Sequence, residues 1–173
     1  MKNYILLIIA LTIANLSFGQ SNFVWDIKDS VNKSKELVYT DTKLFIAQTW
    51  KSAQDVIQND DKENGLILIK GNTKVSVTFQ MNVHDYWYRY TIKFYQKENK
   101  FRIVLDDVHC ESARCSVYDW PLVEPTEDCS VNVGGVPPKH LQTLMNQLKS
   151  NLQTIVDTYV SEIKKVSVVD DKW

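Results

Sequence analysis

All three cysteines of the 173-residue chain fall in one stretch, His109 to Cys129, reading HCESARCSVYDWPLVEPTEDC. A histidine directly before the first sulfur raises three chemistries: a thiolate–imidazole nucleophile, a metal site and a disulfide. Nucleophilic catalysis requires sulfur and ring within hydrogen-bond reach. His109 and Cys110 are sequence neighbours, and in a regular strand neighbouring side chains point to opposite faces, so the two would not meet. The other histidines lie elsewhere, His84 in an expected turn beside Asp85 and His140 at the start of an expected helix. No G-x-S-x-G, H-E-x-x-H, Walker or G-x-G-x-x-G word occurs. No catalytic residue is assigned, and the chain is read as a non-enzyme.

A metal would draw on Cys110, Cys115 and Cys129 with His109 or His84. Zinc sites normally double a C-x2–4-C pair, whereas here C-x4-C is followed by one distant cysteine. A redox C-x-x-C is absent as well. No metal and no cofactor are assigned, and a disulfide becomes the expectation. The chain-entropy estimate gives about 2 kcal/mol for a Cys110–Cys115 loop and about 3 kcal/mol for either bridge to Cys129. That difference does not choose between them. A bridge to Cys129 would tie down the proline-containing SVYDWPLVEPTED. The expected pair is nonetheless Cys110–Cys115, close in any conformation that turns at ESAR, with Cys129 free or bonded to another chain.

The disulfide expectation depends on an oxidising compartment, and the N-terminus supplies one. MKNYILLIIALTIANLSFGQ has a positive Lys2, an apolar run from Tyr4 to Leu16, and small residues Ser17 and Gly19 before Gln20. These are the parts of a signal peptide over 1–19, cut near Gly19/Gln20. The apolar run is shorter than the roughly 20 residues that cross a bilayer, so no membrane span is expected after cleavage. No cysteine follows the cut, which argues against a lipoprotein. The expected location is periplasmic or extracellular.

Without Lys2, the 20 basic residues become 19 against 21 acidic ones. That balance gives no reason to expect nucleic acid as a partner. Residues 20–173 suffice for one domain with its own core.

The elements that would position any site are legible from their periods. Alternation at Phe23 to Ile27 suggests an edge strand. Ser34 is a good N-cap for a helix over about 35–51, with Glu36 in its first turn. QNDDKENG then reads as a polar break. Gly65 to Gly71 makes one strand. KVSVTFQMNV makes another, with Val75, Val77, Phe79, Met81 and Val83 on one face. YWYRYTIKFY places Tyr86, Tyr88, Tyr90, Ile92 and Phe94 inward, and FRIVLDDV adds Phe101, Ile103 and Leu105. Strict alternation over several runs joined by short turns, VHD and QKENK, predicts an antiparallel meander with one buried and one wet face. An irregular insert covers about 109–138. A one-sided stripe from Leu141 to Ile163 then marks a long helix over about 139–165, with Pro138 suiting its first turn. That helix would be about 40 Å long, against about 30 Å for a nine-residue strand. Its end would therefore either overhang the sheet and meet a second subunit or fray near Lys164. The fold class is α+β: a helix, a four- to five-stranded antiparallel meander, and a long C-terminal helix on the same sheet face.

KSKELVYTDTKLFIAQTWKSAQDVIQNDDKENGLILIKG, with YTIKFYQKENKFRIVLDDV after it, resembles a bacterial secreted family of domains of unknown function with a TBP-like fold. The matching positions are Ser34, Leu37, Tyr39, Trp50, Ser52, Ala53, Val56, Ile57, Gln58, Asp61, Lys62, Glu63 and Gly65. The family's hairpin turn is usually K-D-G-R-Y. Here Asn99 stands in place of the glycine and would have to take the left-handed conformation. The resemblance covers about 33–108, implies the helix–sheet–helix fold and implies no activity. TBP binds DNA through its sheet, but a shared fold does not carry that function over.

The surface left for binding is the sheet face that the helices do not cover. Thr78, Gln80, Trp87, Arg89, Lys93, Tyr95 and Arg102 should project from it, and Trp87, Arg89, Lys93, Tyr95 and Arg102 are the candidate ligand-binding residues. Aromatic rings beside cations suit a flat polar ligand, a peptide or a glycan. The alternative is a solvated face with cross-strand ion pairs and one tolerated Trp. The function expected is therefore a secreted, non-enzymatic binding or interaction domain for an unknown protein, peptide or glycan. The alternatives are an assembly protein, a homodimer joined through the C-terminal helix or Cys129, and a Cys/His-dependent enzyme.

Overall fold

Asn99 takes up a left-handed conformation, φ 58°, at the tip of the hairpin on which the sheet is built. A computed structural model describes residues 23–79, 81–111 and 138–165. The expected signal peptide lies outside these residues, as do Gln80, Cys115, Cys129 and most of the insert. The elements run β1 (Trp25–Ser30), α1 (Lys35–Thr49), α2 (Ala53–Val56), β2 (Ile57–Asp61), β3 (Leu66–Phe79), β4 (Asn82–Lys97), β5 (Lys100–Cys110) and α3 (Pro138–Lys164). The five strands form one antiparallel sheet in the order β1-β5-β4-β3-β2. The α+β class is as expected.

Local chemistry explains where α1 begins. The Ser34 hydroxyl accepts a hydrogen bond from the Leu37 N–H, and Glu98 of the β4–β5 turn accepts one from the Lys35 N–H. Two of the unsatisfied donors of the first turn are thereby paired. The Asn99 N–H bonds the Lys33 carbonyl and its own carbonyl receives the Val31 N–H, so the turn is pinned to the link between β1 and α1.

Both long helices lie on one sheet face. Val38, Phe45 and Ile46 from α1 meet Leu144, Leu148, Leu152, Val156, Tyr159 and Ile163 from α3 over the inward residues of β3, β4 and β5. Tyr159 stands at the centre, its ring 4.7 Å from Phe94, 5.3 Å from Phe45 and 5.6 Å from Phe101 by centroid. Edge-on contacts of this kind add to the area the rings bury. The Tyr159 hydroxyl is paired with Thr42 Oγ1 at 3.2 Å, and burial raises its pKa. Beside this core, the almost fully buried Lys33 ammonium lies 2.6 Å from Asp41.

Four expectations need correction. The polar break after α1 contains α2 and the edge strand β2. β2 lacks an alternating apolar signal because its Asp60 is held by side chains of α1, Tyr39 Oη and Lys43 Nζ, each 2.5 Å away. Gly65–Gly71 and Val75–Val83 are not separate strands, since β3 runs unbroken for 14 residues. Gly71 interrupts the pattern because the Tyr90 ring lies over it: a Cβ there would sit 2.6 Å from that ring. The first long hairpin reverses between Phe79 and Asn82, which lie opposite each other, and not at VHD, with Met81 at φ 60°. The reversal resets the alternation, so Met81 is 99% exposed and Val83 is also exposed. Finally, β3 and β4 have 14 and 16 residues, about 46 and 53 Å long. The 27-residue α3, about 40 Å, does not outrun them, and the premise for an overhanging end is removed.

Among the described residues no helix is long and apolar enough to cross a membrane.

Candidate functional site: the open sheet face

Alternation along β4 sends Phe94, Ile92, Tyr90, Tyr88 and Tyr86 into the core. The residues between them, Trp87, Arg89, Lys93 and Tyr95, therefore project from the helix-free face. Register adds Arg102, opposite Tyr95, and Lys28, opposite Arg102. The five candidate residues thus share one surface. They do not converge on one point: Trp87 and Tyr95 are eight residues apart along the strand, about 26 Å. The face has two ends.

At the Trp87 end the indole is 45% exposed. Trp87 lies opposite Lys74, and Arg89 opposite Asn72 on one side and His109 on the other. Arg89 is ion-paired with Glu111. One pair along, the Ser76 hydroxyl and Lys74 hold the Asp85 carboxyl below its usual range. Nearer the middle Lys93 pairs with Asp106 at 2.7 Å. At the Tyr95 end the Arg102 guanidinium grips Asp26 through two 2.7 Å hydrogen bonds, which lower the Asp26 pKa. The same guanidinium lies 5.4 Å from the Tyr95 ring centroid. Each cation of the candidate set therefore has an acid of its own, the cross-strand pairing that the solvated-face alternative requires.

The cysteine–histidine pair is divided as its spacing implied. β5 carries a bulge opposite β4, between the Arg89 and Thr91 pairings, where Asp107 takes φ 55°. The extra residue switches the alternation, so Val108 and Cys110 pack on the core side while His109 is exposed. His109 Nδ1 lies 3.0 Å from the Asp107 carbonyl. Cys115 and Cys129 lie outside the described residues, and with them the expected pairing. Among the described residues no group of three or more His, Cys, Asp or Glu could hold a metal ion.

One feature of this face escapes the sequence reading. Lys28, Ser30, Tyr95, Lys97, Lys100 and Arg102 line a cleft of about 420 Å³ at the β4–β5 turn, with Asp29 and Phe101. Lys97 and Lys100 flank a two-residue turn and are directly opposite, which the spacing of QKENK could have shown. Lys28 and Ser30 join them only through the pairing of β1 with β5, which short-range patterns do not encode.

A family model described as a domain of unknown function (DUF4468) with TBP-like fold matches residues 26–111, from β1 to just past β5. Two crystal structures are similar over most of the chain. One is a DUF4468 family protein from Bacteroides ovatus, 11% identical with a TM-score of 0.56, covering 84% of this chain and 88% of that one. The other is a TBP-like protein from Parabacteroides distasonis, 14% identical with a TM-score of 0.56, covering 89% and 99%. At such identity the likeness is one of fold. Among curated proteins none matches the chain. The matched span takes in α1 and the sheet from the second residue of β1 to the end of β5, and residues 26–111 of the chain therefore form a DUF4468 domain, of TBP-like fold and unknown function.

Proposed function

We propose that this protein is a secreted or periplasmic binding module, not an enzyme, and that the helix-free sheet face is its binding surface. The observation that carries the reading is the one-sided burial. α1 and α3 both pack on the inward face, so among the described residues no helix covers the opposite face along β4, which carries a half-exposed Trp87 at one end and a cleft at the other. A large exposed indole among polar groups suits a peptide or glycan partner. The paired cations favour recognition by shape and stacking over simple charge attraction.

Purified protein used as bait in periplasmic and culture extracts tests this, with the Trp87→Ala/Arg89→Ala variant in parallel. If the double variant holds every partner as tightly as the wild type, the sheet-face reading is wrong. Mass measurement of the mature N-terminus tests secretion, since cleavage before Gln20 leaves a glutamine or its pyroglutamate. Thiol counting with and without reductant tests a Cys110–Cys115 bridge beside a free or intermolecular Cys129. Assembly through α3 has less support, because its apolar stripe is used against its own sheet.

A further inference from the structure

The cleft at the β4–β5 turn has an imbalance of charge that the rest of the open face lacks. Four of its lining residues are cations, Lys28, Lys97, Lys100 and Arg102. Lys97 and Lys100 face each other across the hairpin, and Ser30 lies beside Lys100 on the next strand. Like charges directly opposite on an antiparallel pair are unfavourable.

Among the described residues the nearby acids are engaged by groups other than Lys97 and Lys100. Asp26 is gripped by Arg102, with Lys28 Nζ at 3.9 Å. Asp29 is tied to Lys164 of α3 at 2.5 Å. Glu98, in the turn between the two lysines, faces away and accepts the Lys35 N–H at the start of α1. Among the described residues no acid pairs with Lys97 or Lys100. Elsewhere on the face, by contrast, Lys74, Arg89 and Lys93 each have a carboxylate. The cleft's volume, about 420 Å³, is within the range of small-molecule sites.

We propose that this cleft binds a small organic anion carrying at least two phosphate or carboxylate groups, held by Lys97, Lys100 and Lys28, with the Ser30 hydroxyl as a neutral donor. Lysine ammonium groups act as point charges towards such anions. Arg102 serves as a fixed wall, because both edges of its guanidinium used here already hold Asp26. The assignment rests on the open face being the binding surface and narrows it to one end.

The test is an amide NMR titration of the purified protein with two probes, pyrophosphate for the phosphate source and citrate for the carboxylate source, with acetate as a singly charged control. Expected are saturable shifts confined to residues 28–30, 95–97 and 100–102, with acetate far weaker. The stronger of the two probes names the group. Lys100→Glu creates an opposite-charge pair with Lys97, so it should raise the thermal midpoint while weakening the probe about tenfold or more, the effect of losing a charge-assisted hydrogen bond. Loss of binding in a better-folded variant excludes unfolding as its cause. Lys100→Gln, which removes charge without adding any, should weaken binding in the same direction.

Absence of saturation with both probes, shifts scattered over distant lysines, or wild-type affinity in the two Lys100 variants would each overturn the assignment. Trp87→Ala/Arg89→Ala, in the extract experiment with the purified bait, tests the opposite end of the face separately. If the cleft takes no anion but that variant loses a macromolecular partner, the broader sheet-face reading stands without the cleft.

Discussion

Gln96 is fully buried, and neither its side-chain Oε1 nor its Nε2 has a hydrogen-bond partner among the described residues. It lies on the core side of β4 opposite Phe101, and its backbone N–H bonds the Gly65 carbonyl. The side chain thus meets the core with an amide and takes no part in the ladder. Burying such a group unsatisfied costs about 1–3 kcal/mol. Gln96→Met keeps nearly the same length and volume, removes both orphaned atoms and leaves the backbone bond intact. The substitution should therefore stabilise the fold by about 1–3 kcal/mol. At about 2–4 °C per kcal/mol for a chain of this size, the thermal midpoint should rise several degrees. Urea unfolding followed by far-UV circular dichroism measures the change, with an unaltered m-value showing that the native and unfolded states are otherwise the same. Gln96→Ala is the control: it removes the amide but opens a cavity, and should be less stable than Gln96→Met. A Gln96→Met variant destabilised by about 1 kcal/mol or more would refute the reasoning, because it would mean that the amide is satisfied in solution.

Gly71→Ala should destabilise the protein by about 1–3 kcal/mol, since a Cβ would meet the Tyr90 ring at 2.6 Å and overpacking of a tight core has that cost; chemical denaturation of the single variant and of Gly71→Ala/Tyr90→Leu, which should recover part of the loss, checks it. Tyr39 donates to Asp60, and this bond, with burial and the Asp60 charge, pushes its pKa up to about 12 from 10. A raised folded-state value gives stability that is complete below the unfolded pKa and is lost as pH rises through the folded one, so folding stability should fall between pH 10 and pH 12. Thermal melts over that window should show a shallower fall for Tyr39→Phe than for the wild type.

The periods of the sequence were sufficient for the architecture because burial on one face imposes them directly. Tyr86, Tyr88, Tyr90, Ile92 and Phe94 alternate since a strand with one dry face must alternate, and the stripe of α3 repeats because it lies along a sheet. Ser34 as a cap was legible for an equally local reason, since its side chain answers a donor three residues on, and Asn99 in the left-handed region was legible from the glycine it replaces in the family's turn. Three features were not legible. β2 is polar and is held by Tyr39 and Lys43 from a helix distant in sequence, so no pattern within it announces a strand. The bulge at Asp107 and the reversal between Phe79 and Asn82 each shift the alternation by one: the bulge turns Val108 to the core, and the reversal moves Met81 and Val83 from the expected core to the surface.

The same division applies to the site. Alternation alone placed Trp87, Arg89, Lys93, Tyr95 and Arg102 on one face, because side-chain direction in a strand follows from parity. Whether those cations were available to a ligand was a tertiary matter. Arg89 has Glu111, Lys93 has Asp106 and Arg102 has Asp26, and those partners arrive from other strands or from beyond the end of β5. Only the paired strands show that Lys97 and Lys100 stand opposed while Asp29 and Glu98 are drawn away by α3 and α1. The sequence by itself determined which residues face out. The tertiary structure decided which of their charges were already answered, since an ion pair depends on distance in space and parity carries no such information.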